Sequence, residues 1–268
     1  MKVSIIITSY NASATIGRTI ESCLNQTYRD LEIIVVDDCS TDGSLDIIKG
    51  YEDSRIRIIC HDENKGCGYA KRTGLANRSG DFVFFLDCDD YIELDYVQKH
   101  LDALIDYDVD VVVSAFRKGR ALYGMPHYNH VVMKSERLFA GDYLNTMFAK
   151  SSLWEGVEYS TRRIEDLQSR VKMLYNAKRV LILGYEGYHY TQREGSIIHS
   201  MSRECFDISV ALSFMDILLF LEGKEEIEPK KKKSLYHRIW GAVNTYGDSK
   251  EYKEDIDELK AFLKEHSL

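Results

Sequence analysis

Four short, nearly continuous apolar runs in the first half of the chain constrain its fold more than any other feature. They are Val3–Ile7, Ile33–Val36, Arg55–Ile59 and Phe82–Leu86. A strand with one face in solvent alternates apolar and polar residues, whereas a strand covered on both faces is apolar throughout. The four runs therefore predict buried strands of a mostly parallel central sheet.

Segments with helical periodicity lie between these strands. Ile16, Ile20 and Leu24 recur every four residues and predict the apolar face of an amphipathic helix. Strands that alternate with helices are typical of a doubly wound α/β sheet with helices on both faces. Further elements predicted in this half are helices over Leu45–Ile48, within Asn64–Ser79 and over Tyr91–Ile105, and a strand over Val109–Phe116.

The second half has a less regular pattern at first and becomes helical towards its end. The apolar stretch Ile208–Leu221 contains Asp216, so it is too short and too polar to cross a bilayer and predicts a buried helix. The other elements predicted here are strands over His130–Met133 and Val180–Leu183, helices over Gly141–Ala149 and Glu165–Tyr175, and a mostly helical region over Glu204–Leu268.

Composition argues against several classes of protein. The chain has 268 residues and a formal net charge of -8, whereas a nucleic-acid binder usually needs a basic face to neutralise phosphates. The apolar run at the start is too short for a signal-peptide core. The 6 cysteines include no CxxC pair and suit neither a zinc site nor a disulfide framework. We therefore expect a cytoplasmic protein that binds no nucleic acid.

Carboxylates follow two of the predicted strands directly. Asp37 and Asp38 end the second strand, and Asp87-Cys88-Asp89-Asp90 ends the fourth. Ligands of open α/β sheets bind beyond the carboxyl ends of the strands, and carboxylates packed this closely repel one another. A divalent cation would relieve that repulsion, and oxygen ligands favour Mn²⁺ or Mg²⁺. The alternative is that one of these aspartates caps the next helix.

Several motifs stand in a fixed order along this half. They are Ile5-Ile6-Ile7-Thr8-Ser9-Tyr10-Asn11, then Glu32 to Gly43 with Asp37-Asp38, then Asn64-Lys65-Gly66, Ala70 to Leu75 and Ser79-Gly80-Asp81, and finally Asp87-Cys88-Asp89-Asp90. The ordered set resembles the family-two glycosyltransferases of the GT-A fold, and the last motif resembles their DxD motif. The match covers about the first 115 residues.

This resemblance implies a metal-dependent, inverting transferase that moves a sugar from a nucleotide-sugar, expected to be a UDP-sugar, to an acceptor hydroxyl. It implies that Thr8, Tyr10 and Asp38 hold the base, with Asp38 accepting a hydrogen bond from a uracil N–H. Asn11 and Cys88 are also expected in the donor site. For Tyr10, packing at a strand end is the alternative.

The resemblance also assigns the diphosphate and its metal. Asp87 is expected to contact the ribose or a metal-bound water, and Asp89, with Asp90, to ligate Mn²⁺ or Mg²⁺. Lys71 stands where relatives usually carry an arginine near the phosphates, with Arg72 beside it. Which of these two side chains points inward stays open, and a solvated helix face is the alternative for both.

The acceptor side is expected in the second half. Arg163 to Gln168 resembles the family's Glu-Asp motif, which implies that Asp166 is the catalytic base and that Glu165 contacts the acceptor. A helix N-terminus that attracts acids is the alternative. Tyr188 to Ser196 also resembles a family segment, which implies a loop that closes over the diphosphate and from which Arg193 neutralises the leaving phosphates.

These assignments define the expected domains and partners. We expect a GT-A domain over 1-200, with a nucleotide-binding half over 1-116 and an acceptor half over 117-200, and a helical extension over 201-268. The resemblance implies a glycan or lipid-linked glycan acceptor. Lys230–Lys233 predicts a solvated face, with peripheral contact to the inner face of the membrane as the alternative. A homo-oligomer is left open.

Two other functions compete with the transferase. A nucleotidyltransferase on a related fold usually opens with a Gly-rich loop, but the first loop here, Thr8 to Ser13, contains no glycine. A non-catalytic sugar-binding protein would be expected to lose acids that are present here at Asp38, Asp87, Asp89 and Asp166.

Overall fold

A computed structural model describes residues 1–119, 121–123, 131–133, 146–191, 201–224 and 229–266. The chain divides into two compact units. The first comprises Met1–Thr161 and Met173–Arg193, and the second comprises Arg162–Lys172 and Glu194–Leu268. The boundary predicted at residue 200 stays a prediction. The division into units differs from it because residues 162–172 group with the helical second unit.

The described strands all belong to the first unit and form one ten-stranded sheet. Its order is β3-β2-β1-β4-β9-β6-β10-β5, with β7 paired to β6 and β8 paired to β10. The strands are β1 (Val3–Ser9), β2 (Leu31–Asp37), β3 (Ile56–Cys60), β4 (Phe82–Asp87), β5 (Tyr91–Ile92), β6 (Val111–Lys118), β7 (Ala121–Tyr123), β8 (Val131–Met133), β9 (Met147–Lys150) and β10 (Val180–Tyr190).

The sheet is parallel from β3 to β4 and mixed beyond β4. β1 pairs in parallel with β2 and β4, and β2 with β3. β9 then runs antiparallel to both of its neighbours, β4 and β6, while β10 returns parallel to β6. The predicted α/β fold class is confirmed, and its parallel half is the part that carries the strand-end carboxylates.

The helices of the first unit explain why the inner strand β1 is buried at every residue. They are α1 (Ile16–Leu24), α2 (Ser44–Lys49), α3 (Cys67–Ala76) and α4 (Tyr96–Asp106), with a 3₁₀ helix over Ser151–Trp154 and the last turn of α5 (Glu165–Asn176). Ile5 and Ile7 of β1 pack in one cluster with residues of α1 and α4, whereas Ile6 packs in another with Leu75 of α3 and Trp154. Both faces are therefore buried, and every residue of β1 is apolar or small.

Glycines let α3 approach its neighbours closely. A Cβ added to Gly74 would lie 2.3 Å from Cγ2 of Ile6, and one added to Gly68 would lie 2.2 Å from the backbone oxygen of Ser160. Only a residue without a Cβ allows this approach. The glycines thus fix the position of the helix that carries Lys71 and Arg72.

The second unit is helical in its described part. It contains the start of α5 together with α6 (Arg203–Leu221), α7 (Pro229–Tyr246) and α8 (Lys253–Glu265). Ser202 caps α6 by accepting a hydrogen bond from the backbone N–H of Cys205 at 3.1 Å. Asp216, the charge within the apolar run of α6, pairs with Arg162 Nε at 2.7 Å, and Arg162 also reaches Glu258 of α8. Within the described residues, no helix is long and apolar enough to cross a membrane.

Three sequence predictions differ from the structure. The helix predicted over Tyr91–Ile105 begins only at Tyr96, because Tyr91 and Ile92 pair with β10. The helix predicted over Gly141–Ala149 is wrong at its end, where Met147–Lys150 forms β9; residues 141–145 lie outside the described residues. The loop predicted from Tyr188 begins as strand, since β10 extends to Tyr190. In each case a neighbouring strand decides the local conformation.

Candidate active site

Sheet register brings the strand-end residues together. β1 lies between β2 and β4, with Ser9 opposite Asp37 and Thr8 opposite Asp87. The loops that follow these three strands therefore leave the sheet from one row, as the motifs after the first, second and fourth strands predict.

Hydrogen bonds hold the loops after β1 and β2 against each other. The Asn11 backbone N–H donates to Ser40 Oγ at 3.0 Å, and Asn11 Oδ1 accepts from the Thr41 N–H at 2.8 Å. Ser40 Oγ in turn donates to Asp37 Oδ1 at 2.6 Å. Asn11 and Cys39 both adopt positive φ, of 46° and 64°, which gives the two loops their tight turns. These bonds give Asn11 a structural part in addition to the predicted donor contact.

Tyr10 and Thr8 differ in accessibility. Tyr10 is 42% exposed, so the alternative that its ring is packed at the strand end does not fit, and the ring is available for stacking. Thr8 is buried, and its hydroxyl lies 3.6 Å from Sγ of Cys67 at the start of α3.

Asp38 is only 3% exposed and its carboxylate is held by several donors. Oδ1 accepts from His61 Nδ1 at 2.6 Å and from the Lys65 N–H at 3.0 Å. Oδ2 accepts from the Gly66 N–H at 2.7 Å. Gly66 has a φ of 90°, which favours glycine and turns this N–H towards the carboxylate.

Of the two basic residues on α3, Lys71 points inward. It is 4% exposed, its Nζ lies 3.8 Å from Asp87 Oδ1, and it stands 5.7 Å from the centre of the Tyr159 ring. Arg72 instead donates to the backbone oxygen of Tyr159 at 2.9 and 3.1 Å and pairs with Glu158. Lys71 therefore lies at the acid cluster, whereas Arg72 anchors the segment that follows the 3₁₀ helix.

The aspartates after β4 have different environments. The side chain of Asp87 is 33% exposed and Asp89 is partly exposed, but Asp90 is fully buried. Asp90 Oδ2 accepts from the Tyr188 hydroxyl at 2.5 Å and Oδ1 from the Thr191 N–H at 2.7 Å. This arrangement favours a positioning part for Asp90 over the predicted metal ligation.

The surroundings of Asp90 and Tyr188 raise the pKa values of both side chains. Burial first, and then the charge of Asp87, raise the pKa of Asp90 to about 8, although the Tyr188 hydroxyl and the Thr191 N–H oppose that shift. Burial and the charge of Asp90 also raise the pKa of Tyr188 well above its ordinary value. Burial is thus the main cause of both shifts, and the neighbouring carboxylates add to it.

The donor set of this cluster fits a cation that is shared with a substrate. Within the described residues, no group of three or more His, Cys, Asp or Glu side chains could hold a metal ion by itself. Mg²⁺ is commonly held by one or two carboxylates, with substrate phosphates and water completing the octahedron. Asp87 and Asp89 could supply those one or two carboxylates, because both are partly exposed at the strand end.

Arg18 is a residue of this site that the sequence analysis missed. Its guanidinium donates to the backbone oxygen of Asp89 at 2.7 Å and to Thr191 Oγ1 at 2.8 Å, and it lies 4.4 Å from the centre of the Tyr91 ring. Tyr91 stacks in turn on His189 at 4.3 Å, and His189 pairs with Glu93. Arg18 thus fixes the backbone of the acid cluster, but an arginine on the polar face of an amphipathic helix gave no signal of this role.

The backbone of the cluster has further supports in α1. Thr15 Oγ1 and Thr19 Oγ1 donate to the backbone oxygen of Cys88 at 2.9 and 3.0 Å, and Thr19 Oγ1 also reaches the backbone oxygen of Asp90 at 2.7 Å. The thiol of Cys88 belongs to a buried residue of the core. Contact of Cys88 with a donor stays a prediction.

The predicted acceptor residues lie in the second unit. Glu165 and Asp166 form the first turn of α5, and both are partly exposed. The backbone oxygen of Glu165 accepts from Ser169 Oγ at 2.6 Å. Arg193 lies outside the described residues.

The α/β sheet flanked by helices, with carboxylates at the ends of its parallel strands, has the architecture that the GT-A fold predicts. The model of a family described as glycosyl transferase family 2 matches residues 4–151. Because this match covers more than half of the 268 residues, the chain belongs to that family.

Known relatives agree with this assignment. Glycosyltransferase GlyA of Streptococcus pneumoniae is 31% identical over 220 residues, which are 73% of this chain and 31% of that protein. The Escherichia coli protein WfaP, named a UDP-Glc:alpha-D-GlcNAc-diphosphoundecaprenol beta-1,3-glucosyltransferase, is 48% identical over 89 residues, 33% of this chain and 36% of that protein. The chain spans between 31% and 42% of the length of the first curated relatives that it matches.

A solved structure shows the same fold. The crystal structure of S. aureus TarS 1-349 in complex with UDP-GlcNAc superposes with a TM-score of 0.79. The match covers 98% of this chain and 81% of that chain at 23% sequence identity.

Proposed function

We propose that this protein is a metal-dependent, inverting glycosyltransferase that transfers a sugar from a UDP-sugar to a hydroxyl of a glycan or lipid-linked glycan. The observation that carries the proposal is the cluster after β4. There, partly exposed Asp87 lies 3.8 Å from the ammonium of buried Lys71, and partly exposed Asp89 follows two residues later, on the same sheet edge as Asp38. The carboxylates can bind a cation, and the neighbouring ammonium can bind a phosphate. Together they suit a diphosphate that carries a metal ion.

The base would bind at the loops after β1 and β2. The exposed ring of Tyr10 offers a stacking face, and Asp38 offers a carboxylate oxygen to an imide N–H. A UDP-sugar donor is also supported by the name of WfaP and by the UDP-GlcNAc complex of TarS. Thr8 and Asn11 complete this part of the proposed site.

The diphosphate would lie between Lys71 and the acids after β4. Asp89 and Asp87 would hold Mn²⁺ or Mg²⁺, and a bound cation would neutralise the charge that develops on the leaving diphosphate. Lys71 adds a fixed positive charge, and its burial strengthens its interaction with the phosphates. Arg18 keeps the backbone of Asp89 in place while these groups act.

Asp166 is our proposed general base. It would take the proton of the acceptor hydroxyl as that oxygen bonds to the anomeric carbon and the bond from the anomeric carbon to the diphosphate breaks. Attack from the face opposite to the leaving group inverts the anomeric configuration. Glu165 would contact the acceptor, and its position beside Asp166 in the first turn of α5 supports a shared surface.

Peripheral contact with the cytoplasmic face of a membrane is part of the proposal. α7 contains Lys230–Lys233 and Arg238 and no acidic residue, and Trp240 on this helix is 52% exposed. Basic side chains attract anionic lipid, and tryptophan favours the membrane interface. The sequence places Glu225, Glu226 and Glu228 before this helix, so charge alone would give weak binding.

Flotation with vesicles tests this contact. We expect the protein to float with vesicles containing anionic phosphatidylglycerol, with a blue shift of tryptophan fluorescence that Trp240→Ala removes. Equal flotation with purely neutral phosphatidylcholine vesicles, or none with either, would contradict the proposal.

Transfer from labelled UDP-sugars to glycan and undecaprenyl-diphosphate-linked acceptors tests the main function. We expect turnover that EDTA abolishes and Mn²⁺ or Mg²⁺ restores, with an inverted anomeric centre detected by NMR. Asp89→Ala should remove both turnover and the effect of Mn²⁺ on UDP binding. Asp46→Ala, at an exposed position of α2, is the matched control and should change neither. Metal dependence that persists in Asp89→Ala would exclude Asp89 from the metal site.

A further inference from the structure

We propose that His61, oriented by Thr73, makes the donor site selective for uracil over guanine by leaving Asp38 room for only one further hydrogen bond. The inference rests on the proposed function, because it concerns the nucleotide of the donor. It assigns a specificity-determining role to His61, which belongs to none of the motifs of the sequence analysis, and a positioning role to Thr73, which lies within the motif Ala70 to Leu75.

The first step is the acceptor capacity of Asp38. A carboxylate offers about four lone-pair sites, two on each oxygen. His61 Nδ1 and the Lys65 N–H fill both sites of Oδ1, at 2.6 and 3.0 Å. The Gly66 N–H fills one site of Oδ2 at 2.7 Å. Among the residues that the structure describes, these are the donors to Asp38, so one site on Oδ2 remains for a ligand.

The second step is that burial and a second hydrogen bond fix the ring of His61 beside Asp38. Its side chain is 9% exposed, and its Nε2 lies 2.9 Å from Thr73 Oγ1 on α3. An ionised carboxylate only accepts hydrogen bonds, so Nδ1 of His61 carries a hydrogen whether the ring is neutral or charged. Thr73 Oγ1 can donate to Nε2 of a neutral ring or accept from it in a charged ring, so it holds the imidazole in either form.

The third step compares the bases. Uracil presents a single imide N–H between two carbonyl oxygens, and one lone pair on Oδ2 satisfies it. Guanine presents two adjacent donors, N1–H and N2–H, which together need both oxygens of a carboxylate. With Oδ1 filled by His61 and Lys65, one guanine donor would be left unpaired at a buried residue, which is unfavourable.

The two remaining donors to Asp38 are backbone groups and cannot be changed by a side-chain substitution. His61 is therefore the part of the arrangement that a variant can remove. His61→Phe keeps an aromatic ring but has no donor, so one site on Oδ1 becomes available to a second donor. His61→Asn places an amide nitrogen near the former position of Nδ1 and is the matched control.

Calorimetry with UDP, GDP and inorganic pyrophosphate, each at saturating Mn²⁺, tests the inference. We expect the native protein to bind UDP at least about tenfold more tightly than GDP, the scale of one hydrogen bond to a charged group. In His61→Phe the ratio of the GDP and UDP dissociation constants should fall by on the order of tenfold, while the affinity for pyrophosphate stays unchanged. His61→Asn should keep most of the native ratio.

The outcomes separate this inference from the proposed function. If the native protein binds neither nucleotide, the donor assignment fails and the inference fails with it. If it prefers UDP but His61→Phe leaves the ratio unchanged, only the inference is overturned. A native preference for GDP would overturn the inference together with the UDP-sugar assignment, while a metal-dependent transferase would stand. Should His61→Phe not fold, Thr73→Val releases the ring without removing it, and an unchanged ratio in that variant also overturns the inference.

Discussion

Replacing Lys71 by methionine should have opposite effects on the two ligands of the acid cluster. Nζ of Lys71 lies 3.8 Å from Asp87 Oδ1, and Lys71 is buried. In the native protein this ammonium competes with a cation for Asp87 but attracts the diphosphate. Lys71→Met should therefore strengthen the binding of Mn²⁺ alone and weaken the binding of UDP.

The distance sets the size of the effect. Two unit charges 3.8 Å apart interact by about 4 kcal/mol at an effective dielectric constant of about 20, and by about 1 kcal/mol in water. Because the side chain of Asp87 is 33% exposed, solvent screening places the interaction near the lower end of that range. About 1.4 kcal/mol corresponds to a factor of ten, so Mn²⁺ alone should bind roughly tenfold more tightly. UDP should bind about 10- to 100-fold more weakly, the scale of a hydrogen bond to a charged group.

Electron paramagnetic resonance of free Mn²⁺ gives the first affinity, and calorimetry of UDP at saturating Mn²⁺ gives the second. Lys71→Arg keeps the charge and should resemble the native protein in Mn²⁺ binding. Lys49→Met, at an exposed position of α2, controls for the loss of a lysine and should change neither affinity. If both affinities fall together in Lys71→Met, or neither changes, the assignment of Lys71 to the diphosphate is refuted.

Three further predictions concern catalysis, packing and pH. Asp166→Asn should keep UDP affinity in calorimetry and lose transfer by on the order of 10²–10⁴-fold in a radiolabel assay; near-normal turnover would identify another base. Gly68→Ala should lower the free energy of unfolding by roughly 1–3 kcal/mol in a urea titration, because its Cβ would meet the backbone oxygen of Ser160; unchanged stability would contradict the close approach of α3. Burial lowers the pKa of His100 from 6.5 to about 4, so the stability that its neutral ring provides is lost as pH falls from about 6.5 towards 4. His100→Phe should therefore reduce the loss of stability between pH 7 and 4.5 by up to roughly 3 kcal/mol, and an equal loss in both proteins would show that other groups are responsible.

The sequence predicted the parallel half of the sheet because its signal there is local. Continuous apolar runs such as those of β1 and β2 arise only when both faces are covered, so the pattern reports burial directly. The carboxylates that follow them had to meet at one edge, since parallel strands end on the same side of a sheet. Thr8, Asp38 and Asp87 were therefore predictable as neighbours before any coordinates were known.

Pairing between distant segments was not predictable in the same way. Met147–Lys150 is a strand because it lies between β4 and β6, and Tyr91–Ile92 is a strand because β10 runs beside it. Short apolar segments suit a helix or a strand equally well, and the partner that decides between them is far away in sequence.

Sequence order alone determined the fold class, the family motifs and the edge of the sheet where acids collect. Only the tertiary structure decided which member of two pairs of adjacent residues faces that edge. Lys71 is buried beside Asp87, whereas Arg72 binds a backbone oxygen. Asp89 is partly exposed, whereas Asp90 is buried against Tyr188. The physical reason is that adjacent residues have nearly the same sequence context, but the direction of a side chain is set by helix and strand packing. The hydrogen bond from His61 to Asp38 depends on the same packing, because it joins the end of one strand to the loop that follows another.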